Sequence, residues 1–161
     1  MNLPANFTAQ DYHFMQRAIK LARFGHYTTS PNPRVGCVLV KNGEIVGEGF
    51  HKKAGEGHAE VNAIAQAKES TVGATAYVTL EPCSHFGRTP PCAQGLIDAQ
   101  ISHVVIAMVD PNPKVSGRGI EILHKAGIKT QVGLLEADAQ ALNIGFIKLM
   151  QDGLPYVRCK L

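Results

Sequence analysis

The chain has 161 residues, of which 45% are hydrophobic and 18% are charged, and these values are typical of one folded domain rather than of a disordered protein. Its formal net charge of +3 is spread along the chain, which argues against a surface that wraps nucleic acid. No stretch contains the roughly 20 apolar residues of a membrane span. Because no export signal is recognisable, we expect a cytoplasmic protein whose four cysteines remain thiols or bind a metal.

The predicted elements alternate between helices and strands along the chain. Thr8 and Asp11 form the pattern of a capping box at a helix start, and Asn42-Gly43 between two β-branched runs predicts a two-residue hairpin turn. In chain order we predict a helix at 8–25, strands at 35–41 and 44–50, a helix at 58–68, a strand at 74–80, a helix at 92–99, a strand at 103–108, a helix at 119–126, a strand at 129–132, a helix at 135–150 and a strand-like run at 156–161. This order predicts an α/β fold, a three-layer α/β/α sandwich around a mixed five-stranded sheet.

One histidine and two cysteines lie at predicted ends of secondary structure. His58 is at a helix start, Cys83 follows a strand end, and Cys92 is at the start of the next helix. Zinc prefers imidazole and thiolate ligands, and three protein ligands leave the fourth tetrahedral position for water, as in catalytic sites. A helix N-terminus is partly positive, so we expect the thiolate of Cys92 to be favoured before any metal binds. We predict that Glu60, two residues after His58, moves protons beside the metal and does not bind it.

Two less specific interpretations of these residues stay open. The histidine and the cysteines would then be ordinary buried or exposed side chains, or they would form a closed structural zinc site with Cys37, Cys159 or His85 as the fourth ligand. Cys37 lies in an apolar strand, where a small thiol packs well, and we assign it no chemistry. No partner motif surrounds four other histidines, His13, His26, His103 and His124.

Several motifs resemble those of the zinc-dependent cytidine and nucleobase deaminases. These enzymes share a His-x-Glu motif, here His58-Ala59-Glu60, followed by Pro-Cys and a second Cys, and their Glu is a general acid and base. Most members separate the two cysteines by two residues, whereas eight residues separate Cys83 from Cys92 here. Nearly the whole chain resembles the deaminase domain of the bifunctional riboflavin-biosynthesis deaminase/reductases, at 32–36, 57–60, 79–85, 87–92, 110–113 and 117–119.

The resemblance implies a cytidine deaminase-like fold with one zinc ion, held by His58, Cys83 and Cys92, and with Glu60 as the catalytic residue. Residues 1–150 would form the deaminase domain, and 151–161 would begin a reductase domain that uses NADPH and is otherwise absent here. The implied reaction is hydrolytic deamination of a diaminopyrimidinone that carries a phosphoribosylamino group. We expect no nucleic-acid or membrane partner, and we expect a homo-oligomer, with a dimer favoured.

That substrate presents a flat polar ring and a phosphate, and the resemblance implies contacts to both. Asn32 offers a donor and an acceptor to a ring edge, and the guanidinium of Arg88 can bind phosphate oxygens in a bidentate manner. Asp110 and Asn112 follow a strand end, where open α/β sheets place ligands, and Gly117 precedes a helix whose N-terminus is expected to receive phosphate. The candidate substrate-binding residues are Asn32, His51, Ala59, His85, Arg88, Asp110, Asn112, Gly117 and Arg118.

Two other functions are compatible with the zinc motif. A nucleoside or RNA base deaminase of the same superfamily would share the zinc and Glu60, but an RNA deaminase would call for a basic face and a short cysteine spacing. A non-catalytic, zinc-stabilised interaction module would need four protein ligands and would have no metal-bound water.

Overall fold

A mixed sheet of five strands forms the middle layer of the fold. The computed structural model describes residues 6–86 and 90–160. The strands are β1 (Gly36–Lys41), β2 (Glu44–Phe50), β3 (Thr75–Val78), β4 (His103–Ile106) and β5 (Lys129–Val132), in the spatial order β2-β1-β3-β4-β5. β1 pairs antiparallel with β2 and with β3, whereas β3 with β4 and β4 with β5 are parallel. The predicted mixed five-stranded sheet is confirmed.

Helices cover both faces of the sheet. They are α1 (Ala9–Ala22), α2 (Ala59–Ala65), α3 (Cys92–Asp98), α4 (Arg118–Lys125), α5 (Glu136–Leu142) and α6 (Ile144–Asp152). The core on one face contains α1 and α5, and the core on the other face contains α2, α3 and α4, so the predicted three-layer arrangement is also confirmed. The longest helix has 14 residues, and within the described part of the chain no helix has the length and apolarity needed to cross a bilayer.

The two local signals that were strongest in the sequence form as expected. Asn42 and Gly43 have positive φ angles of 52° and 78°, as a two-residue hairpin turn of the primed type requires. The backbone N–H of Thr8 donates to Asp11 Oδ2 at 2.7 Å, and the N–H of Asp11 donates to Thr8 Oγ1 at 3.2 Å, which completes the capping box. Turn and cap chemistry therefore fix these element boundaries locally.

Several predicted element ends differ from the structure by one to three residues, among them the ends of β3 at Val78 and of β4 at Ile106. α1 ends at Ala22 and continues as a 3₁₀ turn at Arg23–Gly25, and α2 ends at Ala65 rather than at residue 68. The strand-like run predicted at 156–161 is wrong for residues 156–160, which belong to no helix or strand, and residue 161 lies outside the described residues. Residues 156–160 are exposed, so no neighbouring strand pairs with them.

The closing helix predicted at 135–150 is two helices that meet at Asn143. The backbone of Asn143 has φ −129° and ψ 32°, outside the helical region, and its side chain is buried. Its Oδ1 accepts the N–H of Arg34 at 2.8 Å, and its Nδ2 donates to the carbonyl of Arg34 at 2.9 Å. These two hydrogen bonds to a distant backbone segment stabilise the break, which re-aims α6 relative to α5.

Two glycines of β2 let α2 lie directly on the sheet. A Cβ at Gly49 would overlap the carbonyl oxygen of Ala59, and a Cβ at Gly47 would overlap that of Ala63. Only glycine lacks this atom, so helix and strand backbones come into contact at both positions. The contact sets the height of α2 above the sheet, and with it the position of His58, the N-cap residue of α2.

Candidate metal centre and active site

His58, Cys83 and Cys92 come together at the carboxyl end of the central strand. His58 is the N-cap of α2, Cys83 lies in the segment after β3, and Cys92 is the first residue of α3. Their potential ligand atoms all lie within 4.8 Å of one another. His58 Nδ1 is 3.1 Å from Cys92 Sγ and 3.6 Å from Cys83 Sγ. The structure therefore brings together the three residues that the sequence singled out as metal ligands.

The geometry and chemistry of this cluster fit a zinc ion. Zinc bonds of about 2.0 to 2.3 Å in a tetrahedron place neighbouring donor atoms roughly 3.3 to 3.8 Å apart, close to the observed sulfur–nitrogen separations. Within residues 6–86 and 90–160 no fourth protein donor joins the group. Cys37 is fully buried in the core that also contains α2 and α3, and Cys159 is exposed. These two cysteines therefore give no support to a closed four-ligand site.

The two candidate ligand cysteines differ in how well their surroundings stabilise a thiolate. The backbone N–H of Cys92, at the start of α3, donates to Cys83 Sγ at 3.1 Å. The pKa of Cys83 is lowered by hydrogen bonds from Cys92 and from His58, whereas the pKa of Cys92 is raised because its thiol hydrogen-bonds to Cys83. We predicted that this helix start favours the thiolate of Cys92, but its N–H group donates to the sulfur of Cys83. The helix start therefore stabilises the sulfur of Cys83.

Glu60 lies beside the ligand cluster without joining it. It is the second residue of α2, it is only 3% exposed, and it lines the same cavity as His58 and Cys83. Burial raises the pKa of Glu60 to about 7, and the nearby sulfur of Cys83 adds to the rise. A carboxyl group with a pKa near neutrality can both accept and donate a proton. The position of Glu60 fits the predicted role of general acid and base, which stays a prediction.

A cavity of about 360 Å³ opens above this cluster. Of the predicted substrate-binding residues, the lining includes Asn32, His51, His85, Asp110 and Asn112. Three predicted residues are not part of the lining, namely Ala59, Gly117 and Arg118. Ala59 is fully buried, and Arg118 is exposed on α4. Arg88 lies outside the described residues. The cavity is thus assembled from segments that are far apart in the sequence.

His51 and Asn32 form a hydrogen-bonded pair in the cavity wall. His51 Nδ1 lies 3.2 Å from the carbonyl of Gly57, which can only accept, so Nδ1 carries the proton and Nε2 is an acceptor. Asn32 Nδ2 lies 3.3 Å from Nε2 and donates to it. Burial lowers the pKa of His51, which favours this neutral form, and its ring meets that of His58 edge-on at 5.4 Å between centroids. Asn32 Oδ1 is therefore left as an acceptor.

A tight turn presents Asp110 and Asn112 to the cavity. Asp110 Oδ1 accepts the N–H of Asn112 at 2.8 Å, and Asn112 Oδ1 accepts the N–H of Lys114 at 3.0 Å. Burial raises the pKa of Asp110. These bonds orient both side chains. They leave Asp110 Oδ2 and Asn112 Nδ2 without a partner among the described residues.

The N-terminus of α4 has no free N–H groups for a phosphate, which corrects the role expected for Gly117. The carboxylate of Glu81 accepts the N–H of Gly117 at 3.0 Å and that of Gly119 at 2.9 Å. The helix start therefore already binds an anionic group that the protein itself supplies.

Several residues of the cavity wall were not predicted. Phe146 and Met150 reach the cavity from α6, one helical turn apart on the same face, and Val115 reaches it from the loop before α4. No motif marks these three residues, because they meet the zinc cluster only through the tertiary fold. Glu81 was visible beside Cys83 in the sequence, but its partners were not.

The comparisons with known proteins agree with this site. The family model described as the cytidine and deoxycytidylate deaminase zinc-binding region matches residues 8–108. "Riboflavin biosynthesis protein RibD" of Haemophilus influenzae is 62% identical over 155 residues, which cover 96% of this chain and 42% of that protein. "Diaminohydroxyphosphoribosylamino-pyrimidine deaminase" of Buchnera aphidicola subsp. Schizaphis graminum is 56% identical over 146 residues, which cover 91% of this chain and 99% of that protein.

Among solved structures, form 2 of RibD from Acinetobacter baumannii superposes with a TM-score of 0.89 at 58% identity, over 91% of this chain and 42% of that one. The chain thus spans about two fifths of the length of its RibD relatives and nearly all of the Buchnera deaminase. It belongs to the cytidine and deoxycytidylate deaminase family, and within that family to the group of RibD-type deaminase domains.

Proposed function

We propose that the chain catalyses the hydrolytic deamination of a diaminopyrimidinone that carries a phosphoribosylamino group, the riboflavin-pathway reaction that the relatives' names indicate. The observation that carries the proposal is the placement of Glu60 beside the His58, Cys83 and Cys92 cluster in one cavity. A zinc ion held by these three residues would supply Lewis acidity that lowers the pKa of a bound water. The Buchnera protein that is named as a deaminase is matched over 99% of its length. This match supports assigning the deaminase activity to this stretch of chain.

Glu60 is the residue that moves protons in this proposal. Hydrolysis adds water to the ring carbon that carries the exocyclic amine and releases ammonia. Glu60 takes a proton from the attacking water and gives it to the ring nitrogen next to that carbon. It then takes the proton of the added hydroxyl group and gives it to the departing amine, so that the carbonyl forms as ammonia leaves. Its buried position and its pKa near 7 suit a group that must alternate between both forms.

The walls of the cavity would hold and orient the ring. Asn32 Oδ1 is fixed as an acceptor by the bond between Asn32 Nδ2 and His51, so it suits an N–H group of the pyrimidine edge. Asp110 Oδ2 offers a second acceptor, and Asn112 Nδ2 offers a donor. Phe146 supplies an apolar surface for the flat ring.

The phosphate is assigned to the cysteine-to-cysteine insert. In the described part of the cavity lining there is no lysine or arginine, so a cation must come from elsewhere. On the resemblance we assign this contact to Arg88, which lies outside the described residues; His85, from the same insert, lines the cavity. Contacts by Ala59 and Arg118 remain predictions of the resemblance, as does any contact by Gly117 that does not use its N–H group, which Glu81 occupies.

The direct test is ammonia release by the purified, zinc-analysed protein. Ammonia is expected from the phosphoribosylated diaminopyrimidinone and not from cytidine or adenosine. Glu60→Gln should keep its zinc and lose about 10²- to 10⁴-fold in kcat, whereas Cys83→Ser should lose zinc and activity together. Cys159→Ser, at an exposed cysteine, is the matched control and should change neither. Near-normal turnover by Glu60→Gln, or activity on cytidine alone, would overturn the proposal.

The finer parts of the proposal concern stoichiometry and assembly. We propose one zinc per chain, a homodimer and a cytoplasmic location. None of the four cysteines forms a disulfide, which fits a reducing compartment. The assignment of residues 151–161 to the start of an NADPH-dependent reductase domain is likewise a proposal. Metal analysis and light scattering on the purified chain test the first two.

A further inference from the structure

Glu81 occupies an unusual position for an acidic residue. It lies two residues before the ligand Cys83 and its side chain is only 5% exposed. Its backbone N–H donates to the carbonyl of Met108 at 2.9 Å, which extends the pairing of β3 with β4 beyond the two strands. A carboxylate removed from water destabilises a protein strongly unless hydrogen bonds compensate it. The partners of this carboxylate therefore need an explanation.

Among the described residues, the partners of the Glu81 carboxylate are all backbone N–H groups from one later segment of the chain. Oε2 accepts the N–H of Asp110 and of Gly117, both at 3.0 Å. Oε1 accepts the N–H of Gly119 at 2.9 Å and of Ile120 at 3.4 Å. An ionised carboxylate has about four acceptor positions, and these four donors fill them. Glu81 therefore has no acceptor position left for a substrate or a water, unlike Glu60.

The four bonds tie the two ends of one loop to the ligand-bearing segment. The loop at 109–117 is the main part of the connection between β4, which ends at Ile106, and α4, and it carries Asp110 and Asn112 into the cavity wall. Its middle is fixed by its own turn, since the N–H groups of Val115 and Ser116 donate to the carbonyl of Asn112. Glu81 fixes where this preformed turn stands relative to the zinc cluster.

A steric contact reinforces the same arrangement. A Cβ at Gly119 would overlap the carbonyl oxygen of Pro82, so the first turn of α4 rests directly on the backbone between Glu81 and Cys83. Polar bonds and backbone contact thus couple the loop at 109–117 to a metal ligand. A shift of the loop would move Asp110 and Asn112 within the cavity that Glu60 also lines.

We propose that Glu81 is a positioning residue that fixes the loop at 109–117 as the substrate-binding wall of the cavity. The proposal rests on the proposed deaminase function for its kinetic consequence, but its structural consequence is independent of any activity. Glutamine has the same size as glutamate, but one of its two terminal groups is an NH₂ group that cannot accept a hydrogen bond. In either orientation of the amide, this NH₂ group faces two of the four N–H donors, so two hydrogen bonds are lost.

The test compares Glu81→Gln with Glu121→Gln, which changes an exposed glutamate of α4 whose ion-pair partner is Lys125. For Glu81→Gln we expect zinc content to stay at the wild-type value, KM for the phosphoribosylated diaminopyrimidinone to rise about tenfold, and kcat to stay within about threefold. Backbone amides in the peptide that covers 109–121 should exchange hydrogen at least about tenfold faster than in the wild type. Glu121→Gln should change none of these quantities.

The two readouts separate failure of this proposal from failure of the proposed function. If the wild type releases no ammonia from this substrate, the exchange measurement still decides the role of Glu81. Unchanged exchange at 109–121 would overturn the proposal, and so would a fall in kcat at constant KM, which would assign Glu81 a chemical role. If Glu81→Gln does not fold, Glu81→Asp keeps the charge but shortens the reach, and the same changes in the same direction are expected from it.

Discussion

Asn143 offers a sharp test of how the active-site wall is held in place. Its amide pairs with both the N–H and the carbonyl of Arg34, in the manner of a neighbouring strand, at 2.8 and 2.9 Å. The segment bound in this way carries Asn32 into the cavity, and α6, which begins after Asn143, carries Phe146 and Met150 into it. We predict that Asn143→Ala destabilises the fold and loosens both walls together.

The size of the loss follows from the two backbone groups that would be left alone. A buried donor or acceptor without a partner costs about 1 to 3 kcal/mol. Because the Arg34 backbone is only partly buried, water can replace part of each bond, and we expect a total loss of about 2 to 4 kcal/mol in the free energy of unfolding. For a domain of this size the melting temperature should fall by roughly 5 to 12 °C.

Urea denaturation followed by circular dichroism gives the free energies. Asn143→Asp is a second variant that separates the two hydrogen bonds. It keeps the acceptor for the Arg34 N–H but places a carboxylate oxygen against the Arg34 carbonyl oxygen. It should therefore lower the free energy of unfolding at least as much as Asn143→Ala does. Gln140→Ala, at an exposed position one turn earlier, should stay within about 0.5 kcal/mol of the wild type. Wild-type stability for Asn143→Ala, or an Asn143→Asp protein more stable than Asn143→Ala, would refute the reasoning.

Two further predictions concern packing and charge. Gly119→Ala should lower the free energy of unfolding by about 1 to 3 kcal/mol, because the new Cβ would overlap the backbone of Pro82. Gly95→Ala should raise it by about 0.5 to 1 kcal/mol, because the new methyl group would lie in open space on α3 and alanine favours the helix. Equal effects of the two variants in urea denaturation would contradict this. The bidentate pair with Arg17 lowers the pKa of the Glu48 carboxyl. At this partly exposed site the pair adds under about 1 kcal/mol to the free energy of unfolding. That stabilisation is present above the ordinary pKa of 4.5 and is lost as pH falls through the lowered pKa of the folded state. The stability difference between the wild type and Glu48→Gln should therefore be measurable at pH 7 and shrink in acid; a difference that grows in acid would contradict the assignment.

The parts of the fold that could be predicted from the sequence depend on neighbouring residues. The Asn42-Gly43 turn and the capping box of Thr8 are decided within four residues, so the sequence alone specifies them. The metal cluster was accessible for a different reason, because few residue types suit zinc and they recur at strand and helix ends. The break between α5 and α6 could not be predicted, because the conformation of Asn143 depends on hydrogen bonds to Arg34, 109 positions away in the sequence.

The errors about the site have the same origin. Gly117 at a helix start is a sound signal for an anion site, but the anion turned out to be Glu81, 36 residues earlier in the chain. In the same way the N–H of Cys92 serves the sulfur of Cys83. In both cases the local pattern correctly identified an N–H group that stabilises negative charge. It did not identify which side chain the fold would bring to that group.

The backbone contact between α2 and β2 has a consequence for how this protein can vary. Where side chains separate a helix from a sheet, a change in their volume moves the helix. Here the separation is set by main-chain atoms that meet at Gly47 and Gly49, and every residue type has the same main chain. Mutational drift or engineering can therefore exchange side chains elsewhere in the core while the height of His58 stays constant, and the two glycines are the positions that such variation must leave alone.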